Sequence, residues 1–159
     1  MKSKEEKLFD GQDKLTNQDS SLSQILKADV KEMSIQISRS ELQQLSPAAL
    51  AYLGDAVYEL YFRMHYLLPP KRLDSYHRSV VGQVRAEMQA LHLRSLTPDL
   101  TDNELEIVRR GRNAATGRPK RVDPETYQQA TSLETLIGFL YLTDEARLHE
   151  LLQKLTLEK

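Results

Sequence analysis

The chain has 159 residues, 40% of them hydrophobic and 28% charged, with a formal net charge of −1 and no cysteine. That length supports one domain around a single core, and the composition is that of an ordinary globular protein. The lack of cysteine excludes disulfides and thiolate metal sites. No apolar run approaches the ~18 residues a membrane span needs. Met1-Lys2-Ser3-Lys4-Glu5-Glu6-Lys7 has no signal-peptide core. The expectation is a cytoplasmic protein with no membrane contact.

Residues 1 to about 40 are polar, with only scattered apolar positions such as Leu22, Ile25 and Leu26. They read as a mostly disordered tail. From Glu41 onward, a domain over 41–159, the signals are helical. Ser46-Pro47 supplies an N-cap and a first-turn proline, and the helix they open runs to about Leu67, before Pro69-Pro70. Its wheel puts Leu50, Leu53, Val57, Leu60, Tyr61 and Met64 on one face and Ala51, Asp55, Tyr58, Glu59 and Phe62 on the other. Being apolar almost all round, this helix reads as buried.

A second helix is expected from about Asp74 to Leu93, with Val80, Val84, Met88 and Leu91 inward. Thr101-Asp102-Asn103-Glu104 is a capping box for a shorter third helix, which Gly111 is expected to end. A glycine-punctuated basic loop follows. Asp123-Pro124 caps a fourth helix carrying Tyr127, Ala130, Leu133, Glu134, Ile137 and Tyr141, and Thr143-Asp144-Glu145 opens a fifth with Leu148, Leu151, Leu152 and Leu155. Five helices with short connections and no convincing strand make an all-α domain.

Two acids stand out against this pattern. Asp55 and Glu134 each lie on an apolar helix beside an interior glycine, Gly54 and Gly138. Asp and Glu are rarely buried unless paired. Taken singly, either could pair with an arginine or stand on an exposed edge. Taken together they point to a shared cation site, where hard carboxylate oxygens suit Mg²⁺ or Mn²⁺. Glu59, one turn above Asp55, is a candidate outer-shell partner.

Net charge gives no hint of nucleic acid, but its distribution does. Arg109, Arg110, Arg112, Arg118, Lys120 and Arg121 fall in one window with no acid until Asp123. Such a window is either a solvated positive loop or a phosphate-backbone contact, which Asn113 and the second-helix groups Arg78, Gln83, Arg85 and Gln89 could extend. His65, His77, His92 and His149 lack metal-ligand spacing and read as interface or surface residues.

Leu53-Gly54-Asp55-Ala56-Val57 and Glu134-Thr135-Leu136-Ile137-Gly138 resemble the two signatures of the ribonuclease III catalytic domain. With Leu45-Ser46-Pro47 and Arg109-Arg110-Gly111-Arg112-Asn113-Ala114, the likeness spans roughly residues 45 to 152 and is nearest the small bacterial Mini branch of that family. The resemblance implies a helical bundle without a double-stranded-RNA-binding domain. It implies a Mg²⁺-dependent endoribonuclease that cuts duplex RNA as a homodimer, with the 23S ribosomal RNA precursor as substrate. It assigns metal and catalysis to Asp55 and Glu134. The family places further carboxylates where this chain has Ala51 and Thr131, so the site is expected to be sparse. A catalytically silent RNA-binding or ribosome-associated scaffold and a helical protein-interaction module are the alternative readings.

Overall fold

The computed structural model describes residues 35–117 and 121–155, and among these every regular element is a helix. The tail expected over 1–40 lies almost wholly outside the described residues, as do Arg118 and Lys120. The short helix α1 (Arg39–Gln44) is opened by a Ser38–Glu41 capping box, and it buries no side chain. Helix α2 (Pro47–Tyr66) starts where Ser46 Oγ accepts the Ala49 amide at 3.0 Å. After Pro69-Pro70 come α3 (Leu73–Val84) and α4 (Ala86–Leu96). Helices α5 (Asp102–Ala114), α6 (Pro124–Thr143) and α7 (Glu145–Gln153) complete the bundle.

Helix α6 is the axis, packed by α2, α4, α5 and α7. Its Ala130, Leu133, Leu136, Ile137 and Leu140 are buried, which places apolar surface on nearly every side of the helix. Tyr58 and Phe62 of α2, Leu93 and Leu96 of α4, Ile107 of α5 and Leu148, Leu151 and Leu152 of α7 fill the surrounding core. Each fully buried side chain of this size contributes roughly 1.5–3 kcal/mol.

Three sequence expectations change. The helix expected over 74–93 breaks at Arg85, whose backbone is extended at φ −67° and ψ 152°. The break re-aims α4, so that Gln89, Ala90, His92, Leu93 and Leu96 turn inward while Leu91 faces out. Gly111 does not end α5. It is packed against α6, where a Cβ would meet Thr135 Oγ1 at 2.5 Å, and the helix runs on to Ala114. Arg109, Arg110 and Arg112 are therefore helical residues, not loop.

The third correction concerns α2. Its buried stripe is Leu50, Ala51, Gly54, Tyr58 and Phe62, while Leu60 and Met64 are exposed. The face that carries Asp55 borders the core, and two of the six residues on the apolar face, Leu60 and Met64, lie at the surface.

One polar network ties the ends together. Glu104 caps α5 through the Thr101 amide, and its buried carboxylate takes Arg147 Nε of α7 at 2.8 Å. That guanidinium also donates to the Asp99 carbonyl at 2.7 Å. The bridge pulls Glu104 below the usual carboxylate range.

Candidate active site

Helices α2 and α6 cross backbone against backbone. A Cβ on Gly54 would stand 1.8 Å from the Glu134 carbonyl oxygen, and one on Gly138 would stand 2.0 Å from that of Leu50. Only glycine admits so close an approach, and this compensates for its cost of about 1 kcal/mol in a helix interior. Asp55 follows Gly54, so the crossing delivers it to Glu134.

The two carboxyl groups lie close enough that each shifts the titration of the other. Asp55 is exposed, not buried as the helix pattern implied, because α2 lies at the bundle edge. Glu134 is half-buried. Partial desolvation, then the negative charge of Glu59, raises Asp55 above the usual carboxylate range. Burial first, and the neighbouring Asp55 second, push Glu134 up to about 7. Among the described residues neither acid has a salt-bridge partner. Two neighbouring acids without a cation partner form a pair that a divalent ion would satisfy. No cluster of three or more acidic or histidine side chains is arranged for a metal among the described residues. Water would have to complete the coordination.

Glu59 is half-buried beside Asp55 but is turned to Arg63, whose Nε donates to Glu59 Oε1 at 2.8 Å. Its charge reaches Asp55 through space. Arg110, Arg112, Asn113 and Arg121 are exposed, while Arg109 is paired with Glu106 at 2.6 Å. Because Gly111 rests on Ser132 and Thr135 of α6, this end of α5 lies beside the turn that carries Glu134. Arg78 pairs loosely with Asp74 on α3, and Arg85 is exposed at the α3–α4 break.

Gln83 and Gln89, expected to extend the phosphate-binding surface, are instead buried because the α3–α4 break turns them inward, and part of a polar network that sequence reasoning missed lies there. Of the four histidines, His92 is buried, and its Nδ1 lies 2.5 Å from Tyr58 Oη. That phenol donates to the Gln83 carbonyl at 3.1 Å. It has only one proton, so His92 Nδ1 is the donor to it and Nε2 is left as a bare lone pair against Phe62. Burial lowers the His92 pKa, which keeps the ring neutral. Gln89, three residues earlier on α4, is buried as well, and its amide moderates the rise in the Glu134 pKa. The spacing of Gln89 and His92, three apart inside an apolar stripe, was the available signal.

The Ribonuclease III domain model matches residues 48–145. The chain belongs to the ribonuclease III domain family. A Synechocystis sp. protein named Mini-ribonuclease 3 is 63% identical over 111 residues, covering 70% of this chain and 78% of the relative. A Synechococcus sp. protein of the same name is 60% identical over 119 residues, covering 75% and 86%. A crystal structure of a Fusobacterium nucleatum protein superposes with a TM-score of 0.65 at 30% identity, over 69% of this chain and 91% of that one. This ribonuclease III domain falls in the Mini branch, and it is an endoribonuclease. Among its described residues no helix is long and apolar enough to cross a membrane.

Proposed function

We propose that this chain is a Mg²⁺-dependent endoribonuclease that cleaves double-stranded RNA in the cytoplasm as a homodimer. The 23S ribosomal RNA precursor is the substrate implied by the resemblance to the Mini branch. The observation that carries this reading is the couple of Asp55 and Glu134, two acids without a salt-bridge partner, at a glycine–glycine helix crossing.

The donor set fits Mg²⁺, which retains several waters and takes few protein carboxylates. When bound, such an ion neutralises phosphodiester charge and lowers the pKa of a coordinated water. Asp55 and Glu134 would hold it. The exposed Arg110, Arg112, Asn113 and Arg121, together with Arg78 and Arg85, would grip phosphates and fix the duplex without reading its sequence.

A duplex has two strands, so paired cuts call for two sites. Helix α2 offers a surface for a second copy. Tyr52 is 86% exposed one turn before Asp55, and Leu60 and Met64 continue an apolar face along the helix. That face borders a groove of about 530 Å³ between α2, the end of α6 and α7, lined by Val57, Tyr61, Tyr141, Leu148 and Leu152. An apolar patch of this kind marks an association surface.

The test is incubation with a long RNA duplex and Mg²⁺, beside Asp55→Asn and Glu134→Gln variants. Cleavage that requires both acids supports the site. Cleavage that survives either substitution removes it, and binding without cleavage by the wild-type chain favours the scaffold reading.

A further inference from the structure

Among the described glycines, four have a reason inside the chain. A Cβ on Gly54, Gly111, Gly117 or Gly138 would come within 1.8 to 2.7 Å of a neighbour, whereas one on Gly82 would meet nothing within 4 Å. Gly82 lies inside α3, and apart from proline no residue suits a helix interior less. Its φ is not positive, so no turn demands it either. The surface around it is basic. Arg78 stands one turn before Gly82 and Arg85 one turn after, both exposed, while Val80 and Gln83 bury the opposite side of the helix. Asp74 is the only acid of α3, and it holds Arg78 loosely, at 3.9 Å. Arg85 has no ion pair among the described residues. The same turn is fastened to the helix of Asp55, because the Gln83 carbonyl accepts the Tyr58 phenol at 3.1 Å.

We infer that Gly82 is the point at which α3 lies against the sugar–phosphate edge of duplex RNA, with Arg78 and Arg85 binding phosphates on either side of it. This rests on the duplex-RNA reading above, and it adds a place where main chain rather than a side chain meets the substrate. Duplex RNA offers a wide, shallow minor groove bordered by phosphates, and it is recognised by shape. A helix lies close on such a surface only where nothing projects, and glycine is the residue that lets backbone approach a ligand. The two guanidinium groups then reach phosphates from both ends of the bare turn. A methyl group at position 82 would stand between them and lift the helix away. A protein partner suits this face less, since Val81 is the only large apolar side chain exposed on the turn. Its charge is complementary to a polyanion.

The test uses the full Asp55→Asn chain, so that nothing is cut, and a long RNA duplex. Gly82→Ala and Gly82→Leu are added to that parent. Both should unfold in denaturant no earlier than the parent, because the space around Gly82 is open. Duplex affinity should nevertheless fall, about fivefold for alanine and further for leucine, as a projecting group is forced into a close contact. The log–log salt slope should hold for Gly82→Ala, which removes no cation, and should drop by about 1 for Arg85→Ala. Equal duplex affinity in the parent and both Gly82 variants overturns the inference and leaves the RNA reading standing. A loss of affinity in Gly82→Ala that comes with a loss of stability also overturns it, since the methyl group would then clash within the chain. A parent chain that binds no duplex overturns the RNA reading and the inference together.

Discussion

Gly54 of α2 meets Glu134 of α6 backbone to backbone, with a Cβ position 1.8 Å from the Glu134 carbonyl oxygen. Gly138 repeats the contact with Leu50 one turn away. Neither neighbour is the tip of a flexible side chain, so a methyl group would push the helices apart. Gly138→Ala should therefore cost about 3 kcal/mol, the upper range for overpacking, and should depress cleavage by parting the acids. Gly82 is the matched control. It lies within α3 with nothing inside 4 Å of its Cβ position, so Gly82→Ala should be neutral or stabilising by up to about 1 kcal/mol. Denaturant unfolding of the two variants measures the contrast, and equal midpoints would sink it.

Glu134 carries its functional strain as a raised pKa, about 7 against an ordinary 4.5. A carboxyl raised on folding contributes stability that is complete below its unfolded pKa and lost as pH rises through the folded one. Without a divalent ion, the protein should thus lose stability between about pH 4.5 and 7. Glu134→Gln removes the titration and should stabilise the metal-free chain at pH 8 by roughly 2 kcal/mol. The same variant should have no cleavage activity. A Glu134→Gln chain less stable than wild type at pH 8 would show that the acid is compensated there by something else.

The Glu134 proton also competes with the ion. Metal-binding carboxylates must be deprotonated, and Glu134 holds its proton up to about pH 7. Below that pH the Mg²⁺ concentration for half-maximal cleavage should rise about tenfold per pH unit, the signature of one proton displaced per ion. Above pH 7 it should level off. A Mg²⁺ requirement constant from pH 5.5 to 8 contradicts a Glu134 that stays protonated to about pH 7.

The α2 face can be tested without touching the core. Met64 is 67% exposed, on the rim of the groove beside α7. Met64→Lys should leave the melting temperature of the monomer nearly unchanged, since surface substitutions stay within about 0.5 kcal/mol. It should shift the sedimentation of the chain from dimer to monomer, and paired cuts in a duplex should become single nicks. A wild-type protein that sediments as a monomer at concentrations active in cleavage removes the need for this surface.

The sequence made the helix caps and the two acids plain because their signals are local. Ser46-Pro47, Thr101 with Glu104, and Asp123-Pro124 each specify a helix start within four residues, and all three hold. Gly111 misled because glycine stops a helix and admits a close helix packing with the same letter. Only the position of Thr135 on α6 distinguishes the two. The wheel of α2 failed for a related reason. Apolar residues around the whole circumference mean burial, but periodicity does not say whether the burying surface is this chain or another. Arg85 was invisible as a break because nothing in its side chain forbids helix. The core requirement that Gln89 and His92 face inward is settled elsewhere in the fold.

The arginines of α5 should not contribute equally. Arg109 is bonded through Nε and Nη2 to Glu106, so its charge is already partly neutralised. Arg110 and Arg112 are exposed on the same helix, and Gly111 between them anchors that turn beside Glu134. Binding of an RNA duplex, measured with the Asp55→Asn chain so that nothing is cut, should weaken with rising salt. Removing one phosphate-binding cation should reduce the log–log slope by about 1. Arg110→Ala and Arg112→Ala should each show that reduction, equally on duplexes of different sequence, because backbone contacts position without reading bases. Arg109→Ala should change the slope less. If Arg109 alone carried the salt dependence, duplex binding would have to break the Glu106 pair, and the exposed arginines on its neighbouring turn would be surface charge without a partner.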